Sequence, residues 1–302
     1  MTNRIQRFIA FLLILCIPIF AIAGCTNNDV ANAANQVTTN ANGTYSIDTK
    51  TTTPEGKLDV YMLDIGQGDA ILLKVGDEYS MIDTGDIEHR ENIVAQLKTM
   101  GVTKLKNIII THPHADHMGG FYAIAKAMPI EHVYDDGIVV DNNMYKTYEK
   151  WIEKNKIQRT TLRSGDVVDF GHGAVFVVYA PWVEPLTDKK GETDLNNNSI
   201  VGKLIFGKFS MLFTGDAEWQ EEKKLIKEQN SRLFARILKV GHHGSRTSSS
   251  EDFLKSIKPE SALISNGMYN KYGHPHDVTL RRLQENNIAI YRTDTMGRIH
   301  IS

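Results

Sequence analysis

The run Thr111-His112-Pro113-His114-Ala115-Asp116-His117 places three imidazoles and one carboxylate within six positions. Neutral imidazole nitrogen binds borderline metals such as zinc, and a carboxylate adds the negative charge that holds a dication. Coordination positions left open would admit a water for activation by the ion. The spacing therefore points to metal chemistry rather than to a histidine-rich surface loop. Asn107-Ile108-Ile109-Ile110 reads as a short buried strand, so the cluster falls where a strand ends. His112 and His114, two apart in extended chain, face the same side. Pro113 disfavours helix at His112, and Gly119-Gly120 let the backbone turn closely before a helix predicted over 121–127.

The elements that must position this cluster follow from periodicity and turn residues. Strands are predicted over 58–63, 70–75 and 79–82, joined by turns at Gly66-Gln67-Gly68-Asp69 and Gly76-Asp77. A helix over 90–100 carries Ile93, Leu97 and Met100 on one face and leads through Gly101 to the strand before the cluster. A helix over 144–155 is followed by strands over 167–170, 174–179, 200–206 and 209–213, the last ending in Thr214-Gly215-Asp216. Next come a helix over 218–229 and a strand over 237–240 that ends in Gly241-His242-His243-Gly244-Ser245. A helix over 251–257, a strand over 262–265, a helix over 278–287 and closing strands near 290–291 and 298–301 complete the pattern. Such mixing predicts α/β layers. Asp83-Thr84-Gly85-Asp86 ends a strand in the first half and Thr214-Gly215-Asp216 one in the second, so two halves of similar build would bring their strand ends to one shared edge.

Arg4 and Arg7, an apolar stretch over 8–23 and then Ile22-Ala23-Gly24-Cys25 read as an export signal whose end resembles a bacterial lipobox. Cleavage before Cys25 and acylation of that residue are expected, with an ordinary transmembrane anchor as the alternative. The organisation is then a lipoprotein signal over 1–24, a flexible Asn/Thr/Ala-rich tether over 25–56 and one folded domain over 57–302. The expected location is the outer face of a bacterial cytoplasmic membrane, lipid-anchored or secreted. The only two cysteines are Cys16 and Cys25, so the folded part has neither disulfides nor thiolate ligands, and a metal there must be held by His, Asp, Glu or Asn. No later stretch approaches eighteen apolar residues, which excludes a channel. A formal charge of −2 implies no net attraction to nucleic acid, so polyanion binding would have to be local.

These residues carry a resemblance. Asp64-Ile65-Gly66-Gln67-Gly68-Asp69-Ala70, Ile82-Asp83-Thr84-Gly85, the 111–120 cluster, Asn196-Asn197-Asn198-Ser199-Ile200-Val201, Phe213-Thr214-Gly215-Asp216, Lys239-Val240-Gly241-His242-His243-Gly244-Ser245, Tyr272-Gly273-His274-Pro275 and Tyr291-Arg292-Thr293-Asp294 occur in order across the folded part. In this the chain resembles the metallo-β-lactamase fold, and within it the metallo-β-lactamase-type domain of ComEC competence proteins. The resemblance implies an αββα four-layer sandwich with two divalent metal ions, zinc or manganese, at one edge of the sheets. It implies that His112 and His114 hold the first metal, Asp116 and His117 the second, and that Asp216 bridges them. His242 or His243 would complete the second site; His242 is favoured because it lies nearer the strand end, which leaves His243 to face substrate. Asp116 and Asp216 are the expected catalytic carboxylates. One departure stands out: many hydrolases of this fold supply a further histidine where this chain has Asn196, Asn197 and Asn198. An amide oxygen is a weak, hard ligand, so the first metal is expected to bind loosely or to be manganese.

Ser245, Arg246 and the hydroxyls of Thr247 to Ser250 read either as a phosphate cradle or as a helix cap with a solvated loop. His274 reads either as a substrate-facing residue at the metal edge or as a hydrogen-bonded loop histidine. Asp64, Asp69 and Asp83 suit turn formation and orientation of the histidines alike. His89, His132, His172, His276 and His300 lack ligand spacing and read as surface or packing residues. The function implied by the resemblance is hydrolysis of phosphate esters, with DNA or another phosphodiester as substrate. One alternative is a phosphorylcholine esterase acting on teichoic acid, which would require an aromatic cage drawn from Trp151, Trp182, Trp219 and tyrosines. Another is a non-catalytic surface binding protein that keeps one structural metal.

Overall fold

Side chains alternate across each strand, and here that alternation sorts apolar residues into three layers. In the computed structural model, which describes residues 54–302 and the backbone of 37–39 and 45–47, two seven-stranded sheets lie face to face. The two short segments are β1 (Val37–Thr39) and β2 (Tyr45–Ile47), which pair antiparallel within the stretch read as a flexible tether. The expected signal over 1–24 and Cys25 lie outside the described residues.

One sheet contains β3 (Leu58–Met62), β4 (Ala70–Val75), β5 (Glu78–Thr84), β6 (Leu105–Ile109), β7 (Ile130–Asp135) and β8 (Gln158–Thr161), with β16 (Ile299–Ile301) on the outer edge of β3. The other contains β9 (Val167–Gly171), β10 (Ala174–Ala180), β11 (Val201–Phe206), β12 (Phe209–Phe213), β13 (Ile237–Lys239), β14 (Ser261–Ile264) and β15 (Ala289–Arg292), in spatial order. In β4, Ile71, Leu73 and Val75 point between the sheets, where they meet Ile82, Ile109, Phe170, Phe176, Met211 and Phe213. Leu72 points the other way, toward Ile93 and Leu97 of α1 (Arg90–Thr99), Phe121 and Ile124 of α3 (Phe121–Ala127) and Tyr148 of α4 (Asn143–Asn155). Leu212 and Leu238 likewise face Leu225 of α5 (Trp219–Gln229), Phe253 of α6 (Glu251–Ile257) and Leu283 of α7 (Asp277–Glu285). Helix, sheet, sheet, helix is the order of layers, and each fully buried Leu or Phe contributes about 1.5–3 kcal/mol of apolar transfer free energy.

The two halves share a build. β3, β4 and β5 run antiparallel and are followed by the parallel β6, β7 and β8, just as β10, β11 and β12 run antiparallel before the parallel β13, β14 and β15. In both halves the last antiparallel strand ends in an Asp/Thr/Gly turn and the next strand ends in histidines. Topology thus delivers Asp83, His112, Asp216, His242 and His243 to the same end of the sandwich. Among the described residues no helix is long and apolar enough to cross a membrane.

Candidate metal centre

His112 lies three residues past the end of β6, and the short helix α2 (Ala115–Met118) turns the chain so that His114, Asp116 and His117 gather around it. His112 Nε2 lies 3.0 Å from His114 Nδ1 and 3.9 Å from Asp216 Oδ2. On the other side of the same carboxylate, His117 Nε2 lies 3.2 Å from Asp216 Oδ1 and His243 Nε2 lies 3.6 Å from it, while His243 Nε2 is 3.3 Å from Asp116 Oδ2. Two ligand clusters share Asp216: His112, His114 and Asp216, and Asp116, His117, Asp216 and His243; Asp69, Asp83 and His117 form a third group behind them. Asp216 turns one carboxylate oxygen to each of the first two.

His243, not the favoured His242, joins Asp116 and His117. The cause is local: His242 and His243 both take left-handed backbone conformations, φ 49° and 53°, so the chain doubles back and the residue farther from β13 is carried inward. His243 is buried with Nδ1 2.9 Å from the Ser265 carbonyl oxygen, which fixes the ring and turns Nε2 to the cluster. His242 stays part-exposed. Its Nδ1 lies 3.0 Å from Glu218 Oε1 and its Nε2 3.7 Å from Asp216 Oδ2, the oxygen that faces His112, so it stands beside the first cluster rather than the second.

Behind the ligands sits a shell that sequence reading partly missed. Asp83 accepts from the Thr111 amide at 2.7 Å and from the Thr111 hydroxyl at 2.8 Å, and its Oδ2 lies 2.8 Å from His117 Nδ1. Ser199 Oγ accepts from the Asp216 amide at 3.0 Å. Lys239, fully buried, places Nζ 2.8 Å from Asp69 Oδ2, and Asp69 Oδ1 is 3.4 Å from His243 Nδ1. Gly68, at φ +125°, allows this loop its place: a Cβ there would lie 2.5 Å from the Asp116 carbonyl oxygen. Asp69 and Asp83 therefore orient the ligand histidines, whereas Asp64 is exposed and makes no such contact among the described residues. Lys239 and Ser199 fall within segments that carry the resemblance, but the sequence assigned no role to them or to Glu218, since a lysine or serine at a strand end carries no signal of its own.

Electrostatics follow from this packing. Burial alone would raise the Asp216 carboxyl, but the His117 and His243 imidazoles hold it well below the usual carboxylate range. Burial opposes charge on His117, yet Asp216 and Asp83 push its pKa well above the ordinary imidazole value. Against the same burial, Asp216 and Asp69 push His243 up to about 10. Burial and the neighbouring His117 charge depress His112 and His114. The residues of the Asp116, His117, Asp216 and His243 cluster fit a divalent ion on an observation independent of charge. His117 Nε2, His243 Nε2 and Asp216 Oδ1 are buried and have no hydrogen-bond partner, although native interiors satisfy nearly all such atoms.

The cleft over this centre has a volume of about 330 Å³, and its wall includes Gln67, Asn196, Tyr272 and His274. Asn197 and Asn198 are spent on neighbouring chain: Asn197 Nδ2 donates to Asp194 at 2.8 Å while its Oδ1 accepts from the Glu221 amide at 3.1 Å, and Asn198 Nδ2 donates to the Leu186 carbonyl at 2.8 Å. Asn196 alone of the three keeps a buried carbonyl oxygen without a partner. Ser245 and Arg246 are not among the residues that line the cleft, and their contacts follow the helix-cap alternative. Ser245 Oγ is 2.9 Å from Thr247 Oγ1, Ser248 Oγ donates to the Ala217 carbonyl, Ser250 caps α6, and Arg246 is exposed on the outer side with its amide donating to His276 Nδ1 at 3.0 Å. The tryptophans lie elsewhere too, under Lys154, Lys224 and Arg282. His89, His132, His172, His276 and His300 are not among the residues that line the cleft.

Comparison with known proteins follows the same lines. The family described as Metallo-beta-lactamase superfamily matches residues 63–267. The chain is 29% identical over 247 residues to Competence protein ComA of Neisseria gonorrhoeae, covering 82% of this chain and 32% of that one. It is 30% identical to ComE operon protein 3 of Bacillus subtilis, covering 81% of this chain and 33% of the relative, and 30% identical to Recombination protein 2 of Haemophilus influenzae, covering 80% and 28%. It thus spans about a third of the length of these curated relatives. Among solved structures, the metallo-beta-lactamase fold protein YhfI from Bacillus subtilis superposes with a TM-score of 0.54 at 12% identity, over 82% of this chain and 100% of that one. Zn(2+)-bound PqqB from Methylobacterium extorquens superposes with a TM-score of 0.52 at 10% identity, over 78% and 87%.

Proposed function

Because the chain belongs to the metallo-beta-lactamase superfamily, we propose that it is a metal-dependent phosphodiesterase acting on DNA or another phosphodiester, held by a lipid at Cys25 on the outer face of a bacterial membrane. The observation that carries the hydrolytic part is the double ligand cluster joined through Asp216. A pair of divalent ions bound there would polarise a phosphoryl oxygen and activate water near neutral pH. Asp216, held ionised and fixed by Ser199, keeps the two clusters in register. Asp83 and the Ser265 carbonyl fix His117 and His243 with Nε2 inward, so the donor atoms need no rearrangement on binding. His242, backed by Glu218, and His274, on the cleft wall, are placed to donate to substrate or leaving group.

The phosphodiester assignment draws on the names of the relatives, which speak of competence and recombination. The choline-esterase reading calls for an aromatic cage, and of the tryptophans and tyrosines Tyr272 alone lines the cleft. A purely structural metal would not require a carboxylate with both oxygens aimed at separate clusters.

The test uses the full chain stripped of metal and reloaded with zinc or manganese, offered single-stranded DNA, duplex DNA and a choline phosphodiester. DNA cleavage that depends on added metal and vanishes in Asp216→Ala supports the reading. Choline release with intact DNA replaces it by the esterase, and inertness toward all three despite bound metal replaces it by a binding protein.

A further inference from the structure

The loop 267–274 beside the cleft exposes apolar and aromatic surface: Met268 is 62%, Tyr269 96% and Tyr272 51% exposed. It is not slack chain. Asn270 Nδ2 donates to the carbonyls of Gly267 at 2.8 Å and His274 at 2.6 Å, while its Oδ1 accepts from the amides of Tyr272 at 3.2 Å and His274 at 3.0 Å. Gly267 packs so tightly on the 66–67 turn that a Cβ would lie 2.8 Å from the Gln67 nitrogen. Tyr269 is held at φ +56°, a region that costs an aromatic residue energy and persists only where surrounding structure imposes it. The rings also form a stack leading out of the centre. His243 and His274 are 6.3 Å apart at 29°, and His274 and Tyr272 are 5.7 Å apart at 23°. Lys271 Nζ lies 5.0 Å from the Tyr272 centroid, a cation that a phosphate backbone would draw toward itself.

We propose that this loop is a stacking platform that receives an unpaired base of single-stranded nucleic acid beside the scissile phosphate, through Tyr269 and Tyr272. The inference deepens the phosphodiesterase reading and rests on it for the phosphate's position, not for binding. An exposed ring pre-ordered next to a cleft stacks on a base face with little entropic cost, and such stacking is sequence-tolerant. Bases in a duplex already have their faces covered, so the platform selects single strands.

The experiment is fluorescence anisotropy with the full chain free of metal, using labelled oligothymidylate and an abasic strand of equal length. At about 1–3 kcal/mol per stacked base, the native protein is expected to prefer the strand with bases by about tenfold. The preference falls to near one in Y269A/Y272A and persists in Y269F/Y272F, with thermal unfolding showing both variants folded. Equal affinity of the native protein for the two strands, retention of the preference in the alanine variant, or displacement by duplex as effective as by single strand overturns it. Because no cleavage is read, tyrosine-dependent binding without hydrolysis would sink only the enzyme reading, and hydrolysis without that dependence only the platform.

Discussion

Lys239 Nζ lies 2.8 Å from Asp69 Oδ2, and both side chains are buried on the floor of the metal centre. Lys239 also donates to the Val240 carbonyl at 2.7 Å, so its charge is satisfied twice. Against the burial that would raise it, Lys239 followed by His243 keeps the Asp69 carboxyl below its usual range. Replacing Lys239 by Met would leave a buried carboxylate beside His243 without its main partner. A loss of about 3–5 kcal/mol in denaturant unfolding is expected, and a smaller loss in D69L/K239M, where no lone charge remains.

Metal uptake is expected to release protons. His117 and His243 have raised pKa values in the metal-free protein, so at neutral pH an ion must displace their protons before it binds. Titration calorimetry in buffers of different ionisation enthalpy would show this directly. Stability carries the matching sign. A histidine whose folded pKa exceeds its unfolded value contributes stability fully below about 6.5, and loses it as pH rises toward the folded value, here about 10 for His243. The metal-free chain should therefore melt lower at pH 9 than at pH 6, and added metal should flatten that slope.

His242 and His243 should separate cleanly. His243→Ala removes a member of the Asp116, His117 and Asp216 cluster and is expected to weaken metal retention by a hundredfold or so. His242→Ala should leave that cluster loaded. Glu218→Gln, which loosens the His242 ring, should mimic His242→Ala in direction with a smaller effect. Metal per chain after gel filtration distinguishes the three.

Asn196 offers an amide oxygen without a partner at the cleft. Asn196→His would place an imidazole there and is expected to tighten retention of a borderline ion by about tenfold or more. Asn197→Ala and Asn198→Ala should instead lower the melting temperature and spare metal binding, since those amides are spent on Asp194 and Leu186.

Much of this architecture was readable in advance, and the exceptions share a cause. Ala70–Val75, Phe121–Ala127 and Phe209–Phe213 fall where periodicity puts them, because their apolar residues face a core. β7 and β8 were not anticipated. β8 reads Gln-Arg-Thr-Thr, exposed or half-exposed throughout, and is a strand only because it pairs with β7 at the sheet edge. The ligand types in 112–117 were legible from composition and spacing and Asp216 from the family resemblance, but which of two adjacent histidines turns inward depends on left-handed backbone at both, which no side-chain pattern encodes. Ser245 and Arg246 were ambiguous for the complementary reason: hydroxyls next in sequence to a metal cluster are here turned to helix capping and to the outer face.

The amino-terminal approach of the chain has a directional meaning. Pro54 packs against Gly173 and Gly207, in the turns from which β10 and β12 set out, whereas Asp216 and Lys239 lie where β12 and β13 finish. The polypeptide therefore enters the sandwich at its blunt base, a full strand length from the opening. Attachment through the segment before Pro54, as proposed, would leave the opening on the side away from the point of attachment, with no part of the entering chain at Pro54 crossing the cleft.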